Sequence, residues 1–298
     1  MCGIVGLFLK DKALEPRLGA MTAGMLATMS DRGPDSAGFA VYGGSTPGQV
    51  KLMLRGGPGV DFAAVEGAVG AAAGGAQSFE IRDTHVLVTI AGTALDAVRT
   101  VLAAQHPDVD VVSFGNRIEI YKETGRPDTV ADRFGLAAMT GSHAVGHTRM
   151  ATESAVTTDG AHPFSTGADQ CLVHNGSLSN HNSLRRELVH EGLTFETEND
   201  SEVAAGYLTW RMQGGASLGE ALESALDDLD GFFTFVVGTE AGFGVLRDPI
   251  ACKPAVMAET DAYVAFGSEF RALAGLPDIE AATVWEPEPA KPYFWERS

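Results

Sequence analysis

The chain reads as an α+β domain, and three features of its 298 residues predict it. Apolar, β-branched and aromatic runs cluster towards both ends, helical segments follow one another between them, and a strand-and-helix unit interrupts the first part. Strands, then helices, then strands again suit sheets covered by helices rather than alternating βαβ units. Gly3 to Leu9 is continuously apolar, the pattern of a buried strand. Arg17 to Ser30 follows as a helix, with Leu18, Met21, Met25 and Met29 on one face as core packing. The turn-rich Asp31-Arg32-Gly33-Pro34-Asp35-Ser36 leads to strands near Ala37–Tyr42 and Gln49–Leu54.

From about Gly57 the character changes. Ala64 to Gln77 is Ala/Gly-rich and reads as a small helix with a flexible join. His85–Ala91 as strand, Ala94–Gln105 as helix, and Val109–Phe114 and Arg117–Tyr121 as strands complete an α/β unit closing at Gly125-Arg126-Pro127. Residues 58–128 are therefore expected as an insertion, a spacer or docking lobe without chemistry, within one domain over 1–298. Beyond it come a helix around Thr129–Met139, strands at Ser142–Thr148 and Gln170–His174, and a capped helix from Ser179 to Glu191. Helices at Ser201–Gln213 and Ser217–Leu229 precede strands at Phe232–Gly238, Phe243–Leu246, Ala255–Met257 and Tyr263–Phe266. The aromatic, proline-rich Trp285–Trp295 tail reads as a last strand on its own core, with part of a docking face as the alternative.

Composition narrows the function. A formal charge of -18 with no polybasic stretch argues against nucleic acid and anionic membrane surfaces. Cys2, Cys171 and Cys252 lie far apart without metal-ligand spacing, and their low, odd number fits a reducing cytoplasm. No metal site is expected; His143 and His147 are four apart, but on a strand rather than a helix. The apolar run at Ile4–Leu9 is short for a signal core and lacks a basic region before it, and no segment is long enough to span a bilayer.

Cys2 is the most informative residue. Removal of Met1 would make it N-terminal, with a nucleophile and a base on one residue. An α-amine has a reference pKa of about 7.7–8.0, so it can accept the thiol proton near neutrality. Further motifs follow in order: Arg32-Gly33-Pro34-Asp35-Ser36; Gly146-His147-Thr148-Arg149-Met150-Ala151-Thr152; Ala161-His162-Pro163-Phe164; His174-Asn175-Gly176; Asn199-Asp200-Ser201-Glu202; Arg247-Asp248-Pro249 with Lys253-Pro254; and Gly267-Ser268-Glu269. An Asn-Gly pair alone reads as a turn, which would expose the Gly176 N–H, and Asp200 alone reads as a helix cap.

Together with Cys2-Gly3-Ile4-Val5-Gly6, these motifs resemble the class II glutamine amidotransferases, which are N-terminal-nucleophile hydrolases, over essentially the whole chain outside the insertion. The resemblance implies a four-layer αββα sandwich. It also implies a glutaminase half-reaction that splits the glutamine side-chain amide through a Cys2 thioester. In the roles it carries over, Asn175 and Gly176 form the oxyanion hole and Arg149 grips the α-carboxylate with Thr152 as helper. Asp200 meets the α-ammonium, while Arg32, His147 and His162 support the site structurally.

Departures from the family pattern are informative. Met150 stands where an aromatic is usual on the loop over glutamine, a softer lid, and Glu153 puts a carboxylate near a carboxylate-binding arginine. Ala251-Cys252 replaces a glycine-containing turn, with Cys252 expected buried. The form Gly-His-Thr-Arg-Met-Ala-Thr and the chain length look most like the small amidotransferase subunit of glutamate-synthase-like complexes, such as N-methylglutamate synthase. That likeness implies glutamine or N-methylglutamine as substrate. It further implies a separate synthase subunit carrying FMN and an iron–sulfur cluster, another small subunit, no cofactor in this chain, and a cytoplasmic location. The alternatives are a catalytically silent scaffold or glutamine sensor of the same fold, and an acylase for another amide that needs neither Arg149 nor Asp200.

Overall fold

A computed structural model describes residues 2–75, 78–151 and 155–297. In chain order the strands and helices are β1 (Gly3–Leu9), α1 (Leu18–Thr28), β2 (Ser36–Tyr42), β3 (Gln49–Gly56), α2 (Phe62–Ala73), β4 (Ser78–Arg82), β5 (His85–Ala91), α3 (Leu95–Gln105), β6 (Val109–Gly115) and β7 (Ile118–Thr124). The second half adds α4 (Pro127–Arg133), β8 (His143–Arg149), β9 (Phe164–Gly167), β10 (Gln170–Leu178), α5 (His181–His190), α6 (Asp200–Gln213), α7 (Leu218–Asp228), β11 (Gly231–Gly238), β12 (Gly242–Arg247), β13 (Val256–Glu259), β14 (Tyr263–Gly267), β15 (Thr283–Trp285) and β16 (Tyr293–Glu296).

Two antiparallel sheets form the middle layers, in the orders β15-β13-β14-β1-β8-β2-β7 and β16-β12-β11-β10-β9. Side chains alternate across a strand, so each strand here faces a helix layer on one side and the other sheet on the opposite side. In β1, Ile4 and Phe8 meet Val173, Val236, Phe243 and Val245 of the second sheet, whereas Val5, Leu7 and Leu9 pack with Leu18, Met25 and Leu26 of α1. In β11, Val236 faces the first sheet while Phe233, Phe235 and Val237 pack with Val203, Tyr207 and Leu222 of α6 and α7. This is the expected αββα sandwich. A strand buried on both faces must be apolar throughout, which explains the Gly3–Leu9 run.

The inserted unit is drawn differently from the 58–128 expected. Its separate sheet has the order β4-β5-β3-β6 and therefore takes in β3 from Gln49, while β7 pairs with β2 in the main sheet. Strand β4, a short and largely exposed edge strand just past the Ala/Gly-rich stretch, has no counterpart among the expected elements and forms a hairpin with β5 through Asp83 at φ 58°. Helices α2 and α3 cover one face of this sheet through Val65, Val69, Val98 and Leu102. Its opposite face sends Met53 and Leu87 into the main core beside Tyr121 and Phe134, so the unit is packed in rather than appended.

The tail forms a strand, as expected: β16 pairs with β12, and Trp295 stacks on Phe243 with ring centroids 5.4 Å apart. Cys252, expected inside, is exposed, because Arg247 anchors the chain from Ala251 to Lys253 by their carbonyls and leaves the intervening side chain outward.

One buried carboxylate ties the inserted unit to the second sheet. Asp169, in the β9–β10 turn at φ 52°, accepts the N–H groups of Asn116 (2.6 Å), Arg117 (2.8 Å) and Ile118 (3.0 Å) from the β6–β7 turn. Leaving such donors unmet costs a substantial desolvation penalty. Asp169→Ala is expected to lower the free energy of unfolding by about 3 kcal/mol, measured by urea denaturation; an unchanged midpoint would show that water satisfies that turn.

Candidate active site

Strand β1 is hydrogen-bonded on both sides, to β14 and β8, and its first residue is Gly3. The chain leaving it is fixed one residue further out. Gly3 N–H donates to Thr148 Oγ1 (3.2 Å) and Ile4 N–H to Ser268 Oγ (2.9 Å). The Cys2 carbonyl accepts from Arg32 Nε (3.1 Å) and from the Asn175 side-chain amide (3.3 Å). The half-buried Cys2 thus sits where β1, β8, β10 and the loop after α1 converge. Arg32 is itself oriented by an ion pair with Glu269. Gly33 permits its loop to approach β8: a methyl there would lie 2.4 Å from the Thr148 carbonyl carbon.

Asn175 and Gly176 are inside a strand, not at the turn expected from the sequence. Both lie in β10, opposite Thr234 and Phe233 of β11. The strand tolerates the pair because residue 176 has no Cβ: φ is 155°, and a methyl would meet the Phe232 carbonyl oxygen at 2.0 Å. Asp200 is not the helix cap either. Asn199 caps α6 by accepting the Ser201 N–H at 2.9 Å, and Asp200, the first helical residue, accepts the Leu178 N–H at 2.9 Å. Its other oxygen lies 3.8 Å from His174 Nδ1. An acidic residue at this end also suits the helix dipole.

Arg149 ends β8 opposite Ser36 of β2, is largely buried, and donates from Nη1 to the Ala155 carbonyl at 3.3 Å. Asp35 shapes the chain here: its N–H donates to the Arg149 carbonyl (3.1 Å) and its carboxylate accepts the Ala151 N–H (2.8 Å). Met150 is partly exposed. Thr152 and Glu153 lie outside the described residues.

Three histidines form a buried column behind this constellation. His147 Nε2 bonds the His174 carbonyl (3.1 Å), the His147 and His162 rings stack at 4.1 Å, and His174 Nδ1 bonds Ser201 Oγ (2.9 Å). His162 makes no side-chain hydrogen bond among the described residues and is held by stacking, unlike the hydrogen-bonding role expected of it. Burial pushes His147 down to about 3 and His174 to about 4, and burial holds His162 well below its ordinary value, so the column is neutral. Among the described residues no three His, Cys, Asp or Glu side chains converge to hold a metal ion, and no helix is long and apolar enough to cross a membrane.

The structure therefore brings Cys2, Arg32 and Asn175 into direct contact, sets Gly176, His174 and Asp200 immediately behind them, and places Arg149 at the end of the neighbouring strand. Three positioning groups had no role assigned from sequence: Thr148, Ser268 and Glu269. All three lie inside quoted motifs, which was the available signal.

Residues 147–275 match the family model described as a glutamine amidotransferase domain. The glutamine amidotransferase-like protein GlxB of Rhizobium meliloti is 64% identical over 99% of this chain and 98% of its own length. A Methanothermobacter thermautotrophicus protein named for the same amidotransferase family is 34% identical over 90% of this chain and 92% of its own. Among solved structures, glutamine phosphoribosylpyrophosphate amidotransferase from B. subtilis shares the fold, with a TM-score of 0.62 at 20% identity over 99% of this chain and 47% of that one.

The neutral histidines make stability depend on pH. His85, His143 and His147, each pushed down to about 3 by burial, join His162 and His174 as rings that charge only on unfolding. Between those lowered values and the unfolded value of about 6.5 the unfolded chain binds more protons, so stability is present above that pH and lost as pH falls through it. Urea midpoints should drop steeply from pH 7 to 5, and His143→Phe should flatten the slope; a midpoint constant over this range would show the rings already charged within the fold.

Proposed function

This chain belongs to the class II glutamine amidotransferase family, and from that membership and the site geometry we propose that it is a glutaminase whose nucleophile is Cys2 once Met1 is removed. The observation that carries the reading is the contact of the Asn175 carboxamide with the Cys2 carbonyl, beside a Gly176 where any side chain would be strained and would meet the Phe232 carbonyl. An amide donor and a bare backbone N–H next to a thiol are the parts that acyl transfer from a carboxamide requires.

In this reading the Cys2 α-amine takes the thiol proton and the sulfur attacks the side-chain carbonyl carbon of glutamine. The oxyanion is met by Asn175 Nδ2–H and Gly176 N–H; the amide carries two N–H groups, so holding the Cys2 carbonyl does not exhaust it. The protonated α-amine returns its proton to the leaving nitrogen, the C–N bond breaks, and ammonia departs from a γ-glutamyl thioester. Water then adds to the thioester and releases glutamate and the thiol. Arg149 receives the α-carboxylate, with Thr152 carried over as its helper from the family resemblance alone, and Asp200 receives the α-ammonium. Arg32, locked between Glu269 and the Cys2 carbonyl, holds the nucleophile's backbone.

The proposal extends to a partner. Released ammonia, or methylamine from N-methylglutamine, passes to a separate synthase subunit of an N-methylglutamate-synthase-like complex. The FMN and iron–sulfur chemistry and a further small subunit belong to that assembly, with a cytoplasmic location. The 64% identity over 98% of the length of an amidotransferase-like protein supports the amidotransferase role on which this extension rests.

Intact-mass measurement should show Met1 absent, and an electrophilic glutamine analogue should label Cys2 and nothing in Cys2→Ala. Cys171 is buried with its thiol pushed up to about 11 by burial, and Cys252 is exposed with its side chain directed outward; labelling at either would overturn the assignment. Asn175→Ala should lower kcat by about 10²–10³ with an unchanged circular dichroism spectrum, read in a glutaminase assay.

A further inference from the structure

The inserted sheet reaches the site through one short segment. We propose that Lys122 and Arg55 are positioning residues for Arg149: they pin residues 155–160, against which its guanidinium is braced. The inference rests on the reading of Arg149 as the carboxylate grip.

The brace has two visible points. Arg149 Nη1 donates to the Ala155 carbonyl at 3.3 Å, and Gly160 lies close to the same nitrogen, a methyl there falling 3.5 Å from it. The segment between these points is held from outside. Lys122 Nζ donates to the Asp159 carbonyl at 3.2 Å, Thr158 Oγ1 donates to the Glu123 carboxylate, and Arg55 pairs with the Asp159 carboxylate. Arg55 is oriented by a second carboxylate, Asp110, at 3.2 Å. Lys122 and Glu123 are neighbours on β7, whereas Arg55 comes from β3 of the inserted sheet, so two separate sheets converge on one segment.

Lys122 is the informative member. Its side chain is only 8% exposed, and no carboxylate pairs with it among the described residues. Burying an ammonium is costly even where the Asp159, Glu202 and Glu196 carboxylates partly offset it from a distance, and an apolar chain of the same length would fill the space over the Phe164 ring. What an apolar chain would not supply is the donor to the Asp159 carbonyl. Burial pushes Lys122 down to about 8, the mark of that unfavourable placement. Arg55 adds the link to the inserted sheet, and it lines a cleft of about 1080 Å³ between that sheet and the sandwich together with Asp110, Lys122 and Asp159.

Loosening these anchors should misplace Arg149 while leaving Cys2, Asn175 and Gly176 untouched, since those are held by β1 and β10. The test compares Arg55→Met and Lys122→Met with the unsubstituted full chain in Cys2 labelling by an electrophilic glutamine analogue. Iodoacetamide serves as a reagent without an α-carboxylate, and hydrogen exchange reads residues 155–161. The half-saturating analogue concentration should rise about tenfold, as small misplacements of a positioning group do. The maximal labelling rate and the iodoacetamide rate should stay within about twofold, exchange at 155–161 should quicken, and Lys122→Arg should recover part of the affinity. Faster exchange with unchanged half-saturation overturns the inference, as does a parallel fall in both labelling rates. If Lys122→Met does not fold, Arg55→Met at the cleft rim decides. A failure of the underlying reading shows separately, on chains bearing neither substitution: labelling that does not saturate, or that saturates equally in Arg149→Ala, removes the carboxylate grip and this inference with it.

Discussion

The placement of β1 governs the molecule. An antiparallel strand with partners on both edges and apolar contacts on both faces has no freedom to slip, because a shift of one residue would exchange its two buried faces. The residue just before it inherits that rigidity. The carbonyl of Cys2 is then claimed by Arg32 and Asn175, so a residue beside the strand's start is held from two directions.

Other elements deliver their groups to the same end of the sandwich. Strand β8 brings Thr148 and Arg149, β10 brings His174, Asn175 and Gly176, α6 brings Asp200 at its N-terminus, and the turn after β14 brings Ser268 and Glu269. Because the two sheets share one interior, most of these groups come from strand ends, an arrangement that holds side chains in place without reorganisation. The histidines behind it are polar enough to bond the His174 carbonyl and Ser201 yet uncharged, so they add hydrogen bonding without burying a cation.

Membership of the amidotransferase family accounts for this end of the molecule, and the inserted sheet is joined to it by packing. Its helix-covered face is an ordinary small core, but its other face merges with the sandwich through Met53 and Leu87. Arg55 extends that merger to the segment beside Arg149.

Residue identity determined much of this in advance. Buried strands announced themselves as apolar runs, α7 as a helix over Ser217–Leu229, and the candidate site residues as short motifs in order, whereas the cap expected at Ser179 is absent from α5 and a capping box forms at Ser217–Glu220 instead. Tertiary structure decided the matters that depend on which neighbour a residue meets. Asn175-Gly176 lies in a strand because β11 accepts a residue without a Cβ there, and Asn199 rather than Asp200 caps α6 because Asp200 turns to the Leu178 N–H. Strand β3 joins the inserted sheet and β7 the main one because of pairing partners far away in the chain, which local pattern does not encode. Cys252 is outside because Arg247 seizes the carbonyls on either side of it. Periodicity and motif order are local properties and survive in one dimension; edge, register and the direction of a side chain exist only once the partner strand is present.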